Sequence, residues 1–440
     1  MPSAPQPADP AEPDTHVATL ANGVRVVAIR QPHLESASAS VFVRAGSSHE
    51  SRRLNGISHV VEHMAFKGTA TRDVQAVNFD AERLGADVNA HTDKDHTAFH
   101  MRGRAADAAA FVAMLGDIVL RPTFPSEELE RERQVLLQEL LEDEEDPLSA
   151  AFVTFDRLCY GEHPLAQPVI GQRANLKRLT RADLQAHVAR LYSGENLVLG
   201  VAGDIDPEAV VRGAEQAFGE LARGAPNDIG APAYKGGLAS KALAGSGQSH
   251  VVLGYPLPAL DDPAHHAGLL AAALFGEGMS SPLLDELRER RGLAYYLSCS
   301  ADVNGLAGQF VVEASTAPEH LETLVAETDR LLAKQADGVD AADLERARNM
   351  LDVRRLRNRE SPARRVEDAA LDLLVFGRVR SRAEQMAAIR DLTAADVSGA
   401  FATMRERPVA LAVSGTIKKG AFDRVRERMV GRPVSDRSSG

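Results

Sequence analysis

The feature that most constrains this 440-residue chain is an internal repeat, because a duplicated sequence folds as two copies of one unit. ELERER at Glu128–Arg133 in the first half matches DLERAR at Asp343–Arg348 in the second. In the same order, LTRADL at Leu179–Leu184 matches LTAADV at Leu392–Val397, and an apolar strand pattern ending in glycine follows each. Ordered matches of this kind favour a duplication over a coincidence of common helical residues.

The repeat sets the predicted domain boundaries. We predict a first domain over residues 15–222 and a homologous second domain over residues 248–433. The segment 223–247 is rich in Gly, Pro, Ala and Ser without a sustained period, which is typical of an inter-domain linker. The Pro- and acid-rich residues 1–14 and the residues 434–440 are predicted to be disordered tails.

Both halves begin with patterns that predict strands. An Asn22-Gly23 turn precedes alternating apolar residues at Val24–Ile29, and SASVFVRA follows at Ser38–Ala45. HVVLGY at His250–Tyr255 is the corresponding pattern in the second half. Runs of strands with hairpin signals, combined with long amphipathic helices, indicate an α+β fold. We therefore predict two homologous domains, each a mainly antiparallel sheet packed with helices.

Composition and charge exclude several classes of function. With 44% hydrophobic and 25% charged residues, and no run of about 18 apolar residues, the chain has the composition of an ordinary globular protein without membrane spans. A net charge of −12 argues against binding to nucleic acid or to an anionic membrane surface. The two cysteines, Cys159 and Cys299, lack metal-ligand spacing and are interpreted as small buried hydrophobes. We expect a cytoplasmic location because signal-peptide features are missing, or a periplasmic one if a leader was removed.

The first half contains the motif HVVEH at His59–His63. Each residue of an α-helix advances about 100°, so His59 and His63 lie on one face with Glu62 beside them. Two imidazoles one turn apart can bind one Zn²⁺, and the carboxylate can take a proton from a water molecule. This order of residues is the inverzincin signature H-x-x-E-H. The alternative is a helix with two half-buried histidines and a solvated glutamate.

A catalytic zinc site needs a third protein ligand from another element. The predicted helix 126–142 carries Glu132 and Glu139, about two turns apart on one face. Either could bind zinc while the other hydrogen-bonds a ligand histidine. In the repeat these positions become Ala347 and Arg354, and nothing in the second half resembles HVVEH. This difference favours a catalytic half and a non-catalytic half over two solvated acidic faces.

With these motifs the chain resembles the pitrilysin or insulinase family of zinc metallopeptidases. The resemblance is strongest to the short-chain branch that includes the mitochondrial processing peptidase subunits and their bacterial relatives, and it covers about residues 15–433. A departure occurs at Pro282, where relatives usually carry a basic residue. The segments that carry the resemblance are Leu20–Gly23, Gly56–Thr69, Asn89–Thr92, Glu130–Glu139, Asp146-Pro147, Gly276–Ser281 and Leu287–Tyr295.

The resemblance implies a role for each residue of the candidate metal site. His59, His63 and Glu139 would be the ligands of one Zn²⁺ per chain. Glu62 would be the general base towards the attacking water, and Glu132 the acid that supports the site. The implied activity is that of a zinc endopeptidase that hydrolyses peptides or small unfolded polypeptides.

The resemblance also implies how substrate is held. Residues 85–99 are interpreted as a hairpin whose edge strand holds an extended peptide by β-augmentation, with Asn89, Ala90 and Phe66 as substrate-binding residues. On the second domain, Arg288 and Tyr295 match a pair that reaches the substrate near the scissile bond. Three histidines close to this hairpin are interpreted as non-ligands: His91, His96 and His100.

Relatives of about twice this length close two such pairs of domains around the substrate. By that resemblance we expect a dimer that forms a clamshell chamber, either a homodimer or a heterodimer with a related chain. Two other function classes stay open, a non-catalytic scaffold subunit and a zinc hydrolase that acts on other substrates. The intact set of His59, Glu62, His63 and Glu139 favours the enzyme, since a scaffold does not need it.

Overall fold

The computed structural model of the protein describes residue 12 and residues 14–430. The predicted tails therefore lie largely outside the described residues. The prediction of a disordered tail over residues 1–14 is wrong at Glu12. This residue is buried, and its carboxylate accepts two hydrogen bonds from Arg359, at 3.0 and 2.8 Å. A charge-assisted bidentate contact of this kind fixes the chain locally despite its tail-like composition.

Eleven strands in the described residues form two separate sheets. They are β1 (Thr15–Thr19), β2 (Arg25–Arg30), β3 (Ser36–Val43), β4 (Asp87–Thr92), β5 (Thr97–Arg104), β6 (Leu197–Gly203), β7 (Gly237–Ala242), β8 (Ser249–Leu257), β9 (Ala294–Val303), β10 (Gly308–Thr316) and β11 (Ala410–Gly415). The six-stranded sheet has the order β1-β2-β6-β3-β5-β4, and the five-stranded sheet has the order β7-β11-β8-β10-β9.

Each sheet is mixed rather than purely antiparallel. β2 and β6 run parallel in the first sheet, and β7 and β11 run parallel in the second. The other neighbouring strands are antiparallel, as the hairpin signals predict. The predicted α+β architecture of two sheet-and-helix domains is confirmed.

Helices account for most of the remaining elements. They are α1 (Ile57–Ala65), α2 (Val74–Arg83), α3 (Ala108–Leu120), α4 (Ser126–Glu145), α5 (Pro147–Tyr160), α6 (Arg173–Leu176), α7 (Arg181–Leu191), α8 (Pro207–Phe218), α9 (His265–Gly276), α10 (Pro282–Leu284), α11 (Leu321–Asp337), α12 (Ala341–Glu360), α13 (Pro362–Phe376), α14 (Arg382–Arg390), α15 (Ala394–Arg405) and α16 (Ala421–Val430). Residues 285–290 continue α10 as a wider helical turn. Among the described helices, none has the length and apolarity to cross a bilayer.

The two compact units of the structure differ from the two contiguous halves of the sequence. The first unit takes in residues 355–385 from the second half, and the second unit takes in residues 141–166 from the first half. α5 thereby packs in the second unit, where its Phe155 lies in a core with Val252 of β8. α13 packs in the first unit, where its Val366 lies in a core with Val27 of β2.

The two exchanged helices begin in the same way. Asp146 caps α5 by accepting a hydrogen bond from the Ser149 amide, and Ser361 caps α13 in the same manner. A proline occupies the first turn of both helices, where its missing N–H costs nothing. The limits 15–222 and 248–433 remain a prediction of where the two duplicated sequences begin and end. The compact units of the structure have different limits, because each unit includes a segment from the other half.

The predicted linker 223–247 is more ordered than its composition suggests. Its first part belongs to the first unit, where the Asn227 side chain donates hydrogen bonds to the Arg44 and Leu191 carbonyl groups. Its second part contains β7, which pairs with β11 at the edge of the second sheet. The strand was missed because three of its six residues are exposed and carry no apolar alternation.

Candidate metal centre

The motif helix α1 presents two different faces. Its buried residues Val60, Val61 and Met64 belong to the large core of the first unit and fix the helix against it. His59, Glu62 and His63 lie on the other side and are half-buried. The helix begins after Gly56, whose φ of +99° is a left-handed conformation that favours glycine.

The two motif histidines meet Glu139 of α4. The Nε2 atoms of His59 and His63 are 3.1 Å apart, and Glu139 Oε2 lies 3.9 Å from the first and 3.6 Å from the second. Ligand atoms around a tetrahedral Zn²⁺ are about 3.3–3.6 Å apart, given bonds of about 2.0–2.2 Å. Across the described residues, no other group of three His, Cys, Asp or Glu side chains approaches this closely. The donor set and its spacing therefore fit zinc.

Glu132 contacts the cluster from a position about two turns before Glu139 on α4. Its Oε1 accepts a hydrogen bond from His63 Nδ1 at 2.9 Å, and its Oε2 lies 2.7 Å from Lys67 Nζ. This contact fixes the orientation of the His63 ring and leaves Nε2 free for a metal. Sequence reasoning missed Lys67, although it lies within the matched segment Gly56–Thr69 and one helical turn beyond His63.

The pKa values of the two imidazoles shift in opposite directions. Burial, assisted by the charge of His63, lowers the pKa of His59 to about 4, which keeps that ring neutral as a metal ligand requires. Burial also disfavours the charged form of His63, but the Glu132 hydrogen bond and the charges of Glu139 and Glu62 outweigh it and raise its pKa. Inside the described part of the chain, the buried His59 Nδ1 has no hydrogen-bond partner.

Glu62 lies beside the two motif histidines on the half-buried side of α1. The Thr92 hydroxyl of β4 donates a 2.6 Å hydrogen bond to Glu62 Oε2 and fixes the carboxylate beside the motif histidines. Burial raises the pKa of Glu62, and the Thr92 hydrogen bond opposes that shift only in part. A carboxylate whose pKa is raised towards the working pH is better suited to accept a proton.

β4 is an open edge of the first sheet. The Asp93 amide donates to the His96 carbonyl, which marks that pair as hydrogen-bonded. Hydrogen-bonded and non-hydrogen-bonded pairs alternate along an antiparallel ladder, so Val88, Ala90 and Thr92 turn their backbone groups away from β5. These groups are available to a further strand.

The predicted substrate-binding residues lie in different surroundings. Asn89 is exposed, and its Oδ1 accepts the Ala90 amide hydrogen at 2.8 Å, which covers part of the open edge. Phe66 is half-buried and packs on the core, with its ring 6.2 Å from that of Phe99. Asn89 and Ala90 are thus on the edge strand, whereas Phe66 supports α1 from the core.

Arg288 and Tyr295 belong to the second unit, whereas the histidine cluster is built entirely within the first. Arg288 lies in the wide helical turn that follows α10, with its Nε 3.7 Å from Glu289. Tyr295 is the second residue of β9 and is 82% exposed, so it is not the strand-core aromatic that its apolar surroundings would favour. Pro282 occupies the first turn of α10 after the capping residue Ser281.

The three histidines of the β4–β5 hairpin form a hydrogen-bonded series. Ser40 Oγ lies 2.8 Å from His100 Nδ1, and His100 Nε2 lies 2.9 Å from His91 Nδ1. His91 Nε2 lies 3.4 Å from His96 Nε2, and His96 Nδ1 lies 2.7 Å from Asp95 Oδ1. All six ring nitrogens have a partner, which agrees with their interpretation as non-ligands.

A cavity of about 870 Å³ lies along the open edge of β4 within the first unit. Residues from α2, from the beginning of α13, and from β4 and β5 line this cavity. Its lining residues are Asn78, Ala81, Glu82, Ala86, Asp87, Val88, Asn89, Ala90, His91, His100, Arg102, Ser361, Ala363, Arg364 and Glu367.

Comparisons with protein families match both halves of the chain. Residues 25–173 match the family described as Insulinase (Peptidase family M16), and residues 178–351 match the Peptidase M16 inactive domain. The second description agrees with the lack of an H-x-x-E-H motif in that half. The fold and the site thus define the class of two-domain M16 peptidase-like proteins.

Known relatives and solved structures support the same family assignment. An uncharacterized zinc protease of Rickettsia bellii is 30% identical over 385 residues, which covers 87% of this chain and 93% of that protein. The mitochondrial-processing peptidase subunit beta of Saccharomyces cerevisiae is 32% identical over 221 residues, covering 50% and 48%. A crystal structure of a peptidase M16 inactive domain from Pseudomonas fluorescens has a TM-score of 0.85 at 23% identity, covering 92% and 100%. This chain belongs to the insulinase (M16) family, as its motifs indicate.

Proposed function

We propose that this chain is a zinc-dependent endopeptidase that hydrolyses peptides or small unfolded polypeptides held in extended form inside a closed chamber. The proposal rests on the close approach of the His59, His63 and Glu139 side chains beside Glu62. The zinc protease names of relatives support it. A Zn²⁺ ion held by three protein ligands supplies a Lewis acid that polarises a carbonyl group and acidifies a nearby water.

Glu62 performs the proton transfers. Its carboxylate takes a proton from the attacking water and passes that proton to the leaving amine. The Thr92 hydroxyl holds one carboxylate oxygen and leaves the other free for the water. Glu132 and Lys67 keep the His63 ring in the orientation that the site needs.

The open edge of β4 holds the peptide. A substrate strand forms hydrogen bonds with the backbone groups of Val88, Ala90 and Thr92. Its affinity then depends on main-chain hydrogen bonds more than on the identity of its side chains. Because the Asn89 side chain covers the Ala90 amide, an incoming peptide carbonyl replaces it there. Thr92 belongs to both the edge and the contact with Glu62, so a bound strand passes beside the general base.

The second domain and a second chain complete the chamber. In this proposal Arg288 and Tyr295 donate hydrogen bonds to the substrate backbone or to the developing oxyanion. The exposed ring of Tyr295 is available for such a contact. We expect a homodimer, with a heterodimer as the alternative that the peptidase subunit in yeast suggests. Native mass measurement of the active species tests this, and a fully active monomer contradicts it.

A quenched fluorescent peptide separates an enzyme from a scaffold subunit. We expect hydrolysis that a chelator abolishes and that added Zn²⁺ restores. Tyr295→Phe tests the second-domain role, and we expect a lower kcat/KM with unchanged zinc content. If the fully zinc-loaded dimer hydrolyses no peptide, the proposed peptidase activity is refuted and the scaffold subunit is the remaining hypothesis.

A further inference from the structure

The strand β4 presents two chemically different faces, and residues from both faces line the cavity. Side chains alternate along a strand, so Val88, Ala90 and Thr92 lie on one side of β4 and Asp87, Asn89 and His91 on the other. Val88 and Ala90 pack on the core that holds α1, and Thr92 contacts Glu62. The first set therefore marks the side of the general base.

The second face looks towards α13. In the antiparallel register Asp87 is opposite Arg102 and Asn89 is opposite His100, and all four line the cavity. His91 is opposite Ala98, which lies in the core that α13 covers. We call this side of the cavity, formed by these residues with Arg364 and Glu367, the α13 face.

The charges of the α13 face are balanced. Arg364 donates a 2.7 Å hydrogen bond to Glu367 one turn further along α13. Asp87 and Arg102 are cross-strand neighbours, which places opposite charges within reach of each other. The α13 face therefore contains two acidic and two basic side chains, which gives it hydrogen-bond donors and acceptors but little net charge.

The two imidazoles of this face add no charge near neutral pH. Burial lowers the pKa of His91, and it lowers the pKa of His100 to about 3. Their ring nitrogens are occupied by the hydrogen-bonded series that runs from Ser40 to Asp95. The groups left for a ligand are the Asn89 amide, the outward atoms of the Arg364–Glu367 pair, and the charged groups of Asp87 and Arg102.

We propose that the α13 face is a subsite for the substrate side chains that point away from Glu62, and that it selects uncharged polar side chains. Arg364 and Glu367 are its specificity-determining residues, so the second half of the sequence supplies part of the first domain's substrate site. This inference rests on the proposed function, because it requires a peptide strand on β4.

The selectivity follows from the cost of leaving polar groups unpaired. An aliphatic side chain would remove water from these groups without replacing its hydrogen bonds. A charged side chain would compete with one member of the Arg364–Glu367 pair and would meet the like charge of the other. An amide or hydroxyl side chain offers donors and acceptors without disturbing the Arg364–Glu367 pair or adding charge to the face.

A scanned peptide series tests the subsite. Each position in turn carries Gln, Leu, Glu or Lys, and kcat/KM is measured with the zinc-loaded dimer. We expect Gln to exceed Leu by about fivefold, the effect of one hydrogen bond, and also to exceed Glu and Lys. Strand alternation predicts that the preference recurs at every second position.

Two double variants locate the preference. In Arg364→Leu/Glu367→Leu the ratio of Gln to Leu should fall to about one, while hydrolysis of the Leu peptide continues. The control Glu208→Leu/Arg212→Leu removes a similar exposed pair from α8 and should keep the fivefold ratio. A ratio that survives in the first variant would overturn the assignment.

Binding separates the subsite from the proposed activity. The Kd of fluorescent Gln and Leu peptides is measured by anisotropy with Glu62→Gln protein. The same preference in Kd without any hydrolysis by the native chain would refute the activity and keep the subsite. Hydrolysis without a preference at any position, or with a preference for a charged side chain, would refute the subsite alone. Absence of saturable binding and hydrolysis would refute both.

Discussion

Glu132→Gln tests whether the Lys67–Glu132–His63 series supports zinc binding. Both oxygens of Glu132 meet donors, His63 Nδ1 at 2.9 Å and Lys67 Nζ at 2.7 Å. Glutamine keeps the shape but has a single acceptor oxygen. Its amide nitrogen must therefore face either an imidazole N–H or an ammonium group, so one hydrogen bond is lost in either orientation.

The size of the effect can be estimated in two ways. A hydrogen bond to a charged group contributes about 1.5–3 kcal/mol. Loss of a carboxylate that orients a ligand histidine typically weakens metal binding by about 10–100-fold, which is about 1.4–2.8 kcal/mol. The side chain of Glu132 is only 9% exposed, so water does not readily replace the missing acceptor. We therefore expect zinc affinity to fall by about 10–100-fold.

Competition with a chromophoric chelator measures this affinity directly. The matched control is Glu130→Gln on the same helix, since Glu130 is exposed and pairs with Arg133 at 3.0 Å. An exposed pair contributes little, so the control should stay within about fivefold of the native affinity. A native zinc affinity in Glu132→Gln would refute the supporting role.

Three further predictions concern the ligand set, the exchanged helices and pH. Glu139→Ala should lose zinc in elemental analysis, while Glu145→Ala at the exposed end of the same helix should keep it; undiminished zinc in the first variant would remove Glu139 from the ligand set. Phe155→Ala should lower the free energy of unfolding by about 3–5 kcal/mol in urea titration, because its ring is fully buried in the second unit, and an unchanged midpoint would contradict that packing. Burial raises the pKa of Glu50 from 4.5 to about 7, so its contribution to stability should be lost as pH rises through that window. Relative to native protein, Glu50→Gln should therefore gain thermal stability between pH 5 and about 8, and a constant difference in Tm would contradict this.

The metal cluster was predictable from sequence because most of it is local. Helix geometry places His59, Glu62 and His63 on one side of α1 with no knowledge of the fold. Among the many acids of α4, Glu132 and Glu139 were selected because the second copy of the repeat has Ala347 and Arg354 at these positions. The family resemblance then assigned Glu139 as the zinc ligand and Glu132 as the supporting acid. The structure brings His59, His63 and Glu139 together at separations of 3.1, 3.9 and 3.6 Å, close to those around a tetrahedral zinc ion.

The arrangement of the helices was not predictable in the same way. α5 and α13 have ordinary amphipathic sequences, and nothing in their periodicity shows which sheet will cover the apolar face. Their exchange depends on long-range packing, such as that of Val366 against Gly200, where a Cβ atom would lie 2.5 Å from the Val366 side chain. Sequence reasoning consequently assigned residues 361–367 to the second domain and overlooked their place at the edge of β4.

Parallel pairing and tail anchoring were missed for related reasons. β2 and β6 lie far apart in sequence, and their parallel register has no local turn signal. Glu12 lies in a segment whose composition is typical of disorder, yet contacts with Arg359, Arg365 and the Arg382 amide fix its carboxylate. In both cases the decisive partner is distant in the chain.

The most direct test of the proposed peptidase activity is a paired measurement on Glu62→Gln. Zinc content and hydrolysis of a quenched peptide are determined on the same preparation, beside the native chain. We expect a full complement of zinc and no detectable turnover, because the ligands are intact and the proton acceptor is missing. Native turnover by the zinc-loaded variant would contradict the central claim that Glu62 is the general base of this site.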